Sequence, residues 1–268
     1  MRLGSAIKRT SKAAGFTIIE LLLVMAIIGV LAAIMFPVVI KSKEGAKVTQ
    51  CLSNLRQING GLSQYLNDYS ERFPSAVSWG SPAYWASPQR GSQKTIQELL
   101  SLYTRNGMQT ENGQIYTRPG VFYCPSDTGV PNRGDLHGVP PNQPIWKYTG
   151  CSYEYYASNQ VDWETYNPNQ PDSIVVKSWT GLSPEVAGPA GPKRIGAPLN
   201  SIFNTTRKAV MGDIWYWHMG DQVPDGRLAY RNTLFADGHA ARVNGVDHED
   251  ARLQSLRPWH RMSELREE

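Results

Sequence analysis

From Phe16 to Ile40 nearly every position of the chain is apolar, and one charge, Glu20, interrupts the run near its start. As a helix rising about 1.5 Å per residue, 25 such residues cross a hydrocarbon layer of about 30 Å. Past Lys41 the pattern changes. Val48, Cys51, Leu52, Leu55, Ile58, Leu62, Tyr65, Leu66 and Tyr69 recur at three- and four-residue spacing, with Lys41, Lys43, Lys47, Arg56 and Gln57 between them. That is one apolar stripe on a polar helix. The spacing predicts a single helix from about Phe16 to Tyr69, apolar all round in its first half and lying against a globular head in its second. Gly60-Gly61 weakens the second half by about 1 kcal/mol per glycine and marks a place for a bend. Phe73-Pro74 ends it, because the residue before a proline is steered away from helical geometry.

The remainder reads as short elements between turn residues. One helical piece is expected at Thr95–Tyr103 and a short strand at Gly120–Asp127, stopped by Pro125. The Pro- and Gly-dense run Thr128–Tyr148 is expected to be a loop. Strand candidates follow at Ser152–Ala157, Ile174–Lys177, Lys208–Trp217, Arg227–Phe235 and Ala240–Val243, with no strong helical pattern between them, which argues for an antiparallel meander. Asp237-Gly238 supplies a two-residue hairpin turn. Leu253, Leu256, Trp259, Met262 and Leu265 give the charged tail a near-helical spacing. The fold class is therefore α+β: a long N-terminal helix carrying a head with an antiparallel sheet.

Charge alters the picture chiefly at the N-terminus. The chain holds 27 Lys and Arg against 23 Asp and Glu. Arg2, Lys8, Arg9 and Lys12 fall before the apolar run, where there is no acid, so the chain after Gly15 has as many acids as bases. The basic excess gives no support to a nucleic-acid partner. By the positive-inside bias the leader stays cytoplasmic and the chain beyond Ile40 is exported. A cleaved secretory signal is shorter and ends in a small-x-small site. A plain signal anchor leaves Glu20 unexplained, and a carboxylate in hydrocarbon is costly unless it finds a partner.

Gly15-Phe16-Thr17-Ile18-Ile19-Glu20 resembles the processing site of type IV prepilins and type II secretion pseudopilins: a short basic leader ending in Gly, then Phe-Thr-Leu-Ile-Glu and an apolar helix. The resemblance implies cleavage between Gly15 and Phe16 by a membrane-embedded prepilin peptidase, and methylation of the new Phe16 amine. It also implies a register role for Glu20 against that amine, most usefully between subunits, and matches the family's helix proline with Pro37. Positions i and i+4 share a helix face, so amine and carboxylate can neutralise each other. The organisation implied is 1–15 basic leader, 16–40 transmembrane half of the helix, 41–73 amphipathic half, 74–249 globular α+β head and 250–268 charged tail. The implied partners are the prepilin peptidase, other pilin or pseudopilin subunits in a helical filament, and an inner-membrane assembly platform. The location is the inner membrane with the head outside, then a periplasmic pseudopilus or a surface pilus.

Further segments are similar to a large bacterial group of pilin-like proteins: Cys51-Leu-Ser-Asn-Leu-Arg-Gln-Ile58, Tyr123-Cys124-Pro125-Ser126-Asp127, and Leu234-Phe235-Ala236-Asp237-Gly238-His239. The group's C-terminal segment has a His, nine residues, then Asp-Gly. Here Arg227 stands at the His position, and His218 lies farther upstream, which implies a longer loop at Met219–Gly226. Asp213, His218, Asp237 and His239 are of ligand types that bind divalent metals, expected at one end of the sheet. Asp237 is equally accounted for by the turn and His239 by its exposed flank. With no Ser-His-Asp order, phosphate loop or His-Glu-x-x-His helix, no catalysis and no cofactor are expected. Trp79, Trp85, Trp146, Trp163, Trp179, Trp215 and Trp217 read as packing, or as a sugar-stacking surface if the chain is instead a non-polymerising, membrane-anchored binding module. Three cysteines allow one intramolecular disulfide. Cys124 with Cys151 is preferred because it pins the long loop, while Cys51 with Cys124 would tie helix to head.

Overall fold

The computed structural model describes residues 15–77, 94–105, 110–111, 114–115, 120–130, 139–156, 161–163, 176–179, 182, 185–186, 193–194, 196–219 and 229–253. The chain divides into two units, Met1–Gly45 and Ala46–Glu268. Helix α1, Ile18–Asp68, continues from the first into the second and includes Pro37. In the first unit its side chains are exposed on every face, with Ile18, Leu22, Ile28, Leu31 and Phe36 all more than half accessible. Among the described residues this is the one helix long and apolar enough to span a membrane.

In the second unit α1 buries Cys51, Asn54, Leu55, Ile58, Gly61, Leu62 and Tyr65. Their three- and four-residue steps make one stripe, and each large apolar side chain so buried contributes about 1.5–3 kcal/mol. The helix runs unbroken through Gly60-Gly61. Gly61 has a packing reason: a Cβ there would lie 2.8 Å from Thr104 Cγ2. Tyr103 Oη, on the same neighbouring segment, donates to Asp68 at 2.8 Å. The helix stops ahead of the point Pro74 would dictate, because Ser70 and Glu71 both adopt positive φ and turn the chain. The N–H of Glu71 closes the end by donating to the Leu66 carbonyl at 2.7 Å.

The expected helix at Thr95–Tyr103 is two short turns, α2 at Ile96–Leu99 and α3 at Ser101–Thr104, with buried Leu100 between. Thr95 and Glu98 form a capping box at the start of α2. The expected strand at Gly120–Asp127 is absent; Gly120–Phe122 is a 3-10 turn followed by a tight turn at Pro125-Ser126. The cause is Asp127, a buried turn acceptor that gathers four donors. Its carboxylate accepts from the N–H groups of Gly129, Ile145 and Trp146 and from the Ser152 hydroxyl, at 2.7–3.1 Å. These bonds close the loop that follows and start the helical turn α4, Trp146–Thr149. Burial pushes the Asp127 carboxyl up to about 6, while those four bonds pull the other way.

The main sheet has four antiparallel strands lying side by side in chain order: β1 Tyr153–Tyr155, β2 Ala209–Asp213, β3 Tyr230–Phe235 and β4 Ala240–Asn244. Tyr155 faces Met211 across β1 and β2, and Leu234 faces both Met211 and Ala240. The candidate at Ile174–Lys177 does not join this meander; Val176–Trp179 pairs with Val161–Trp163 in a separate two-stranded ribbon. The hairpin between β3 and β4 has three loop residues rather than two. The Phe235 N–H closes it by donating to the His239 carbonyl at 2.9 Å, and within the loop Gly238 alone takes positive φ, at 92°. A three-residue loop needs only its last position left-handed. Helix α5, Gly245–Leu253, covers the sheet; residues 254–268, the rest of the expected tail helix, lie outside the described residues.

The core contains the α1 stripe, Phe73, Ile96, Leu100, Phe122, Ile145, Tyr153, Tyr155, Met211 and Leu234. Trp146 and Trp217 are buried and Trp215 packs against this core, as the packing reading expects. Trp79 and Trp85 and the side chains of Trp163 and Trp179 lie outside the described residues.

Candidate functional site

The first candidate site is the start of α1. Gly15, Phe16 and Thr17 are non-helical and Phe16 is 88% exposed. Thr17 sits immediately before the first helical residue, and Glu20 stands three positions on. Glu20 Oε2 accepts from the Thr17 N–H and the Thr17 hydroxyl, both at 2.8 Å, and the Glu20 N–H approaches Thr17 Oγ1 at 3.3 Å. Threonine followed by glutamate at the third position is a capping box, and a carboxylate in the first turn also complements the helix dipole. Two consequences follow. The Gly15–Phe16 peptide bond lies in open, non-helical backbone, where a protease can bind it. Glu20 has an intrachain partner in Thr17, which gives its position in an apolar run a local reason.

The second candidate group is in the head, and the structure splits it. Asp213 and His218 are together: His218 Nε2 lies 3.3 Å from Asp213 Oδ2, both side chains fully buried. Asp237 and His239 are together in the hairpin, with His239 Nδ1 2.6 Å from Asp237 Oδ1 and its ring stacked on Phe235 at 4.2 Å. The expectation that all four gather at one end of the sheet is not met. Ala236 donates to the carbonyl of Lys208, just before β2, whereas Asp213 ends β2 and accepts from the Asn232 N–H. In an antiparallel pair the turn after β3 falls beside the beginning of β2, about 15 Å from its end. Asp237 and His239 therefore serve the turn. Gly238 presses against α1, where a Cβ would come within 2.5 Å of Asn59 Nδ2.

The disulfide also differs from the preferred pairing. Cys51 is bonded to Cys124, and Cys151 is free and buried. The Cα atoms of Cys51 and Cys124 are 5.3 Å apart, well inside bonding range. Cys151 is held instead by the α4 corner, where its N–H and carbonyl both meet the Thr149 hydroxyl. The bridge ties α1 to the segment that Asp127 anchors. Asn54, one helical turn after Cys51, reinforces the same seam by donating to the Tyr123 carbonyl at 2.7 Å. His218 Nε2 also reaches Cys124 Sγ, at 3.7 Å.

Two buried titratable groups went unforeseen. His248 on α5 bonds Tyr156 Oη at 2.9 Å and Thr233 Oγ1 at 2.8 Å, and burial with nearby arginines pulls its imidazole down to about 3. Lys208 is fully buried and donates to the Arg252 carbonyl at 2.7 Å; burial, aided by Arg252, pulls it down to about 7. Lys208 stood at the edge of a strand candidate, but nothing local marks its ammonium as covered, because α5 does the covering.

Comparison with known proteins bears on the N-terminal site. The family model described as the prokaryotic N-terminal methylation motif matches residues 10–36. The chain thus carries a prepilin-type methylation motif on a long apolar N-terminal helix, and this combination is consistent with a type IV pilin-like protein. No curated protein and no solved structure matches the chain.

Proposed function

We propose that this chain is a pilin-like structural subunit, cut between Gly15 and Phe16 by a prepilin peptidase, methylated on the Phe16 amine, and packed through its N-terminal helix into a type IV pilus or a type II secretion pseudopilus. The observation that carries the reading is the methylation motif at residues 10–36 lying on a helix whose apolar side chains are exposed on every face. Bare apolar surface of that extent needs a membrane or other helices around it. On this reading residues 1–15 are a cytoplasmic leader, 16–40 the membrane and filament half of α1, 41–73 its amphipathic half, 74–249 the exported head and 250–268 a charged tail.

Glu20 has a defined part in the proposal. Before processing, Thr17 satisfies the carboxylate. Cleavage creates a positive amine at Phe16, and a neighbouring subunit's amine can then pair with Glu20 and fix the axial register of one helix against the next. Pro37 removes one backbone donor from the helix interior, a local weakness that neighbouring helices can tolerate. The partners are the peptidase, like subunits and an inner-membrane assembly platform; the chain performs no chemistry of its own.

N-terminal sequencing of the mature protein tests this. It should begin at a methylated Phe16. A mature chain that keeps Met1 in cells with an active prepilin peptidase would sink the proposal.

A further inference from the structure

We propose that Cys51, Cys124 and His218, completed by Asp213, bind one zinc-type divalent cation whenever the two cysteines are thiols, so that the same pair of sulfurs serves either as a disulfide or as half of a metal site. In the structure the sulfurs are joined. His218 Nε2 lies 3.7 Å from Cys124 Sγ and 3.3 Å from Asp213 Oδ2, and the two sulfurs and this nitrogen all fall within 4.8 Å of one another. Tetrahedral zinc takes sulfur at about 2.3 Å and nitrogen or oxygen at about 2.0–2.2 Å, which separates sulfur from nitrogen by about 3.6 Å and nitrogen from oxygen by about 3.4 Å. The observed spacings match both. To reach tetrahedral spacing the sulfurs part from bonding distance and close on the imidazole, beside which Asp213 already stands.

Asp213 supplies an independent reason for a cation. Its side chain is fully buried, Oδ1 has no hydrogen-bond partner, and Oδ2 meets the Asn232 N–H at 2.8 Å and the imidazole. The Arg231 guanidinium directs an N–H to the backbone carbonyl of Asp213 rather than to its carboxylate, and lies over the Tyr216 ring at 4.2 Å. A buried carboxylate so thinly solvated is unfavourable unless a positive charge reaches it. Two thiolates, an imidazole and a carboxylate form a soft-to-borderline donor set, suited to zinc over calcium or magnesium. All four side chains are buried, so the site is closed and structural, with no open position for a reacting water. The Asn232 amide, now 2.8 Å from Nε2, would turn aside and become an outer neighbour of the metal.

The chemistry balances in both directions. Binding replaces two S–H protons with one Zn2+, releasing two protons to water. Return to the disulfide needs a two-electron oxidant of the disulfide class: it takes two electrons from the thiolates and two protons from water, leaves as two thiols, and Zn2+ departs as the Cys51–Cys124 bond forms. Cys151, buried with its thiol pushed well above the usual range chiefly by desolvation, takes no part.

The test uses the full-length chain in detergent, reduced anaerobically with Co2+ present as the probe. One cobalt per chain should appear, with a thiolate-to-cobalt charge-transfer band and the strong visible bands of tetrahedral geometry, and Zn2+ should displace it. The oxidised chain should show neither. Cys151→Ser should keep the spectrum, Cys51→Ser and Cys124→Ser should each lose the tetrahedral dithiolate signature, and His218→Gln should weaken cobalt binding at least about tenfold. No charge-transfer band in the reduced wild-type chain overturns the proposal whatever the variants do. So does a spectrum that depends on Cys151, or one that His218→Gln leaves unchanged in both affinity and form.

Discussion

The two parts of α1 are built from the same apolar residue types and meet their surroundings differently. Between Ile18 and Ile40 leucine, isoleucine, valine and methionine point in every direction and stay exposed. Between Cys51 and Tyr65 the apolar residues keep to one face, and Cys51, Leu55 and Ile58 are wholly covered. A helix apolar all round cannot be satisfied by one neighbouring surface, whereas a striped helix is complete once its stripe is covered. The contrast separates two kinds of information in one element: the first part specifies an environment, and the second specifies a fold.

The comparison can be broken first at Glu20, where the largest effect is expected. Glu20→Ala should leave membrane insertion intact and remove filament assembly, read by fractionation and by shearing filaments from cells; normal filaments would mean that the exposed part of α1 needs no register device. Next, Asp127→Ala strips four hydrogen-bond donors of their acceptor and frees the segment that carries Cys124. It should lower the stability of the folded head by about 3 kcal/mol in denaturant unfolding while leaving the proposed cleavage after Gly15 unchanged. A third effect concerns pH. Lys208 binds its proton at about 7 when folded and near 10.4 when unfolded, so across that interval the unfolded chain holds more protons. Stability should therefore rise with pH through this window, and the rise should flatten in Lys208→Met, monitored by thermal unfolding.

The finest test sharpens the comparison within the buried part itself. Gly60 faces open space and Gly61 faces Thr104. Gly60→Ala should stabilise by about 0.5–1 kcal/mol through helix propensity alone. Gly61→Ala should forfeit that gain, because its new methyl group must displace Thr104.

How far the sequence shows all this depends on the range of each interaction. The α1 stripe was legible from Val48 to Leu66 because helical burial repeats locally, and the β3–β4 hairpin was legible because Asp237-Gly238 is a local signal. The loop length was misjudged by one residue, since either turn type accepts that dipeptide. Asp127 was visible only as part of a familiar segment, because its donors come from Gly129, Ile145, Trp146 and Ser152. The disulfide was misassigned for a like reason: chain separation favoured Cys151, while the real partner of Cys124 sits on a helix 73 residues away. Of the four residues expected together, Asp213 and His218 do meet, and Asp237 and His239 meet elsewhere. Their company was wrong, because strand direction decides which end of β2 a residue occupies and no local pattern reveals that the α1 cysteine arrives there.

The strand order carries a consequence for how such a head can diversify. β1 and β2 are bonded neighbours, yet the chain leaves one after Tyr155 and enters the other only at Ala209. Among the described residues the excursion is held where buried Leu182 donates to the Tyr156 carbonyl and accepts from the Ala197 N–H, and again where Phe73 donates to the Ala197 carbonyl and Leu199 to the Glu71 carbonyl. Between Tyr156 and Leu182 the ends are already joined by a backbone bond, so an insertion there lengthens a closed segment, and each doubling of such a segment costs only about 0.6 kcal/mol. Length changes between those two residues leave the register of the meander, set by β1 against β2, untouched.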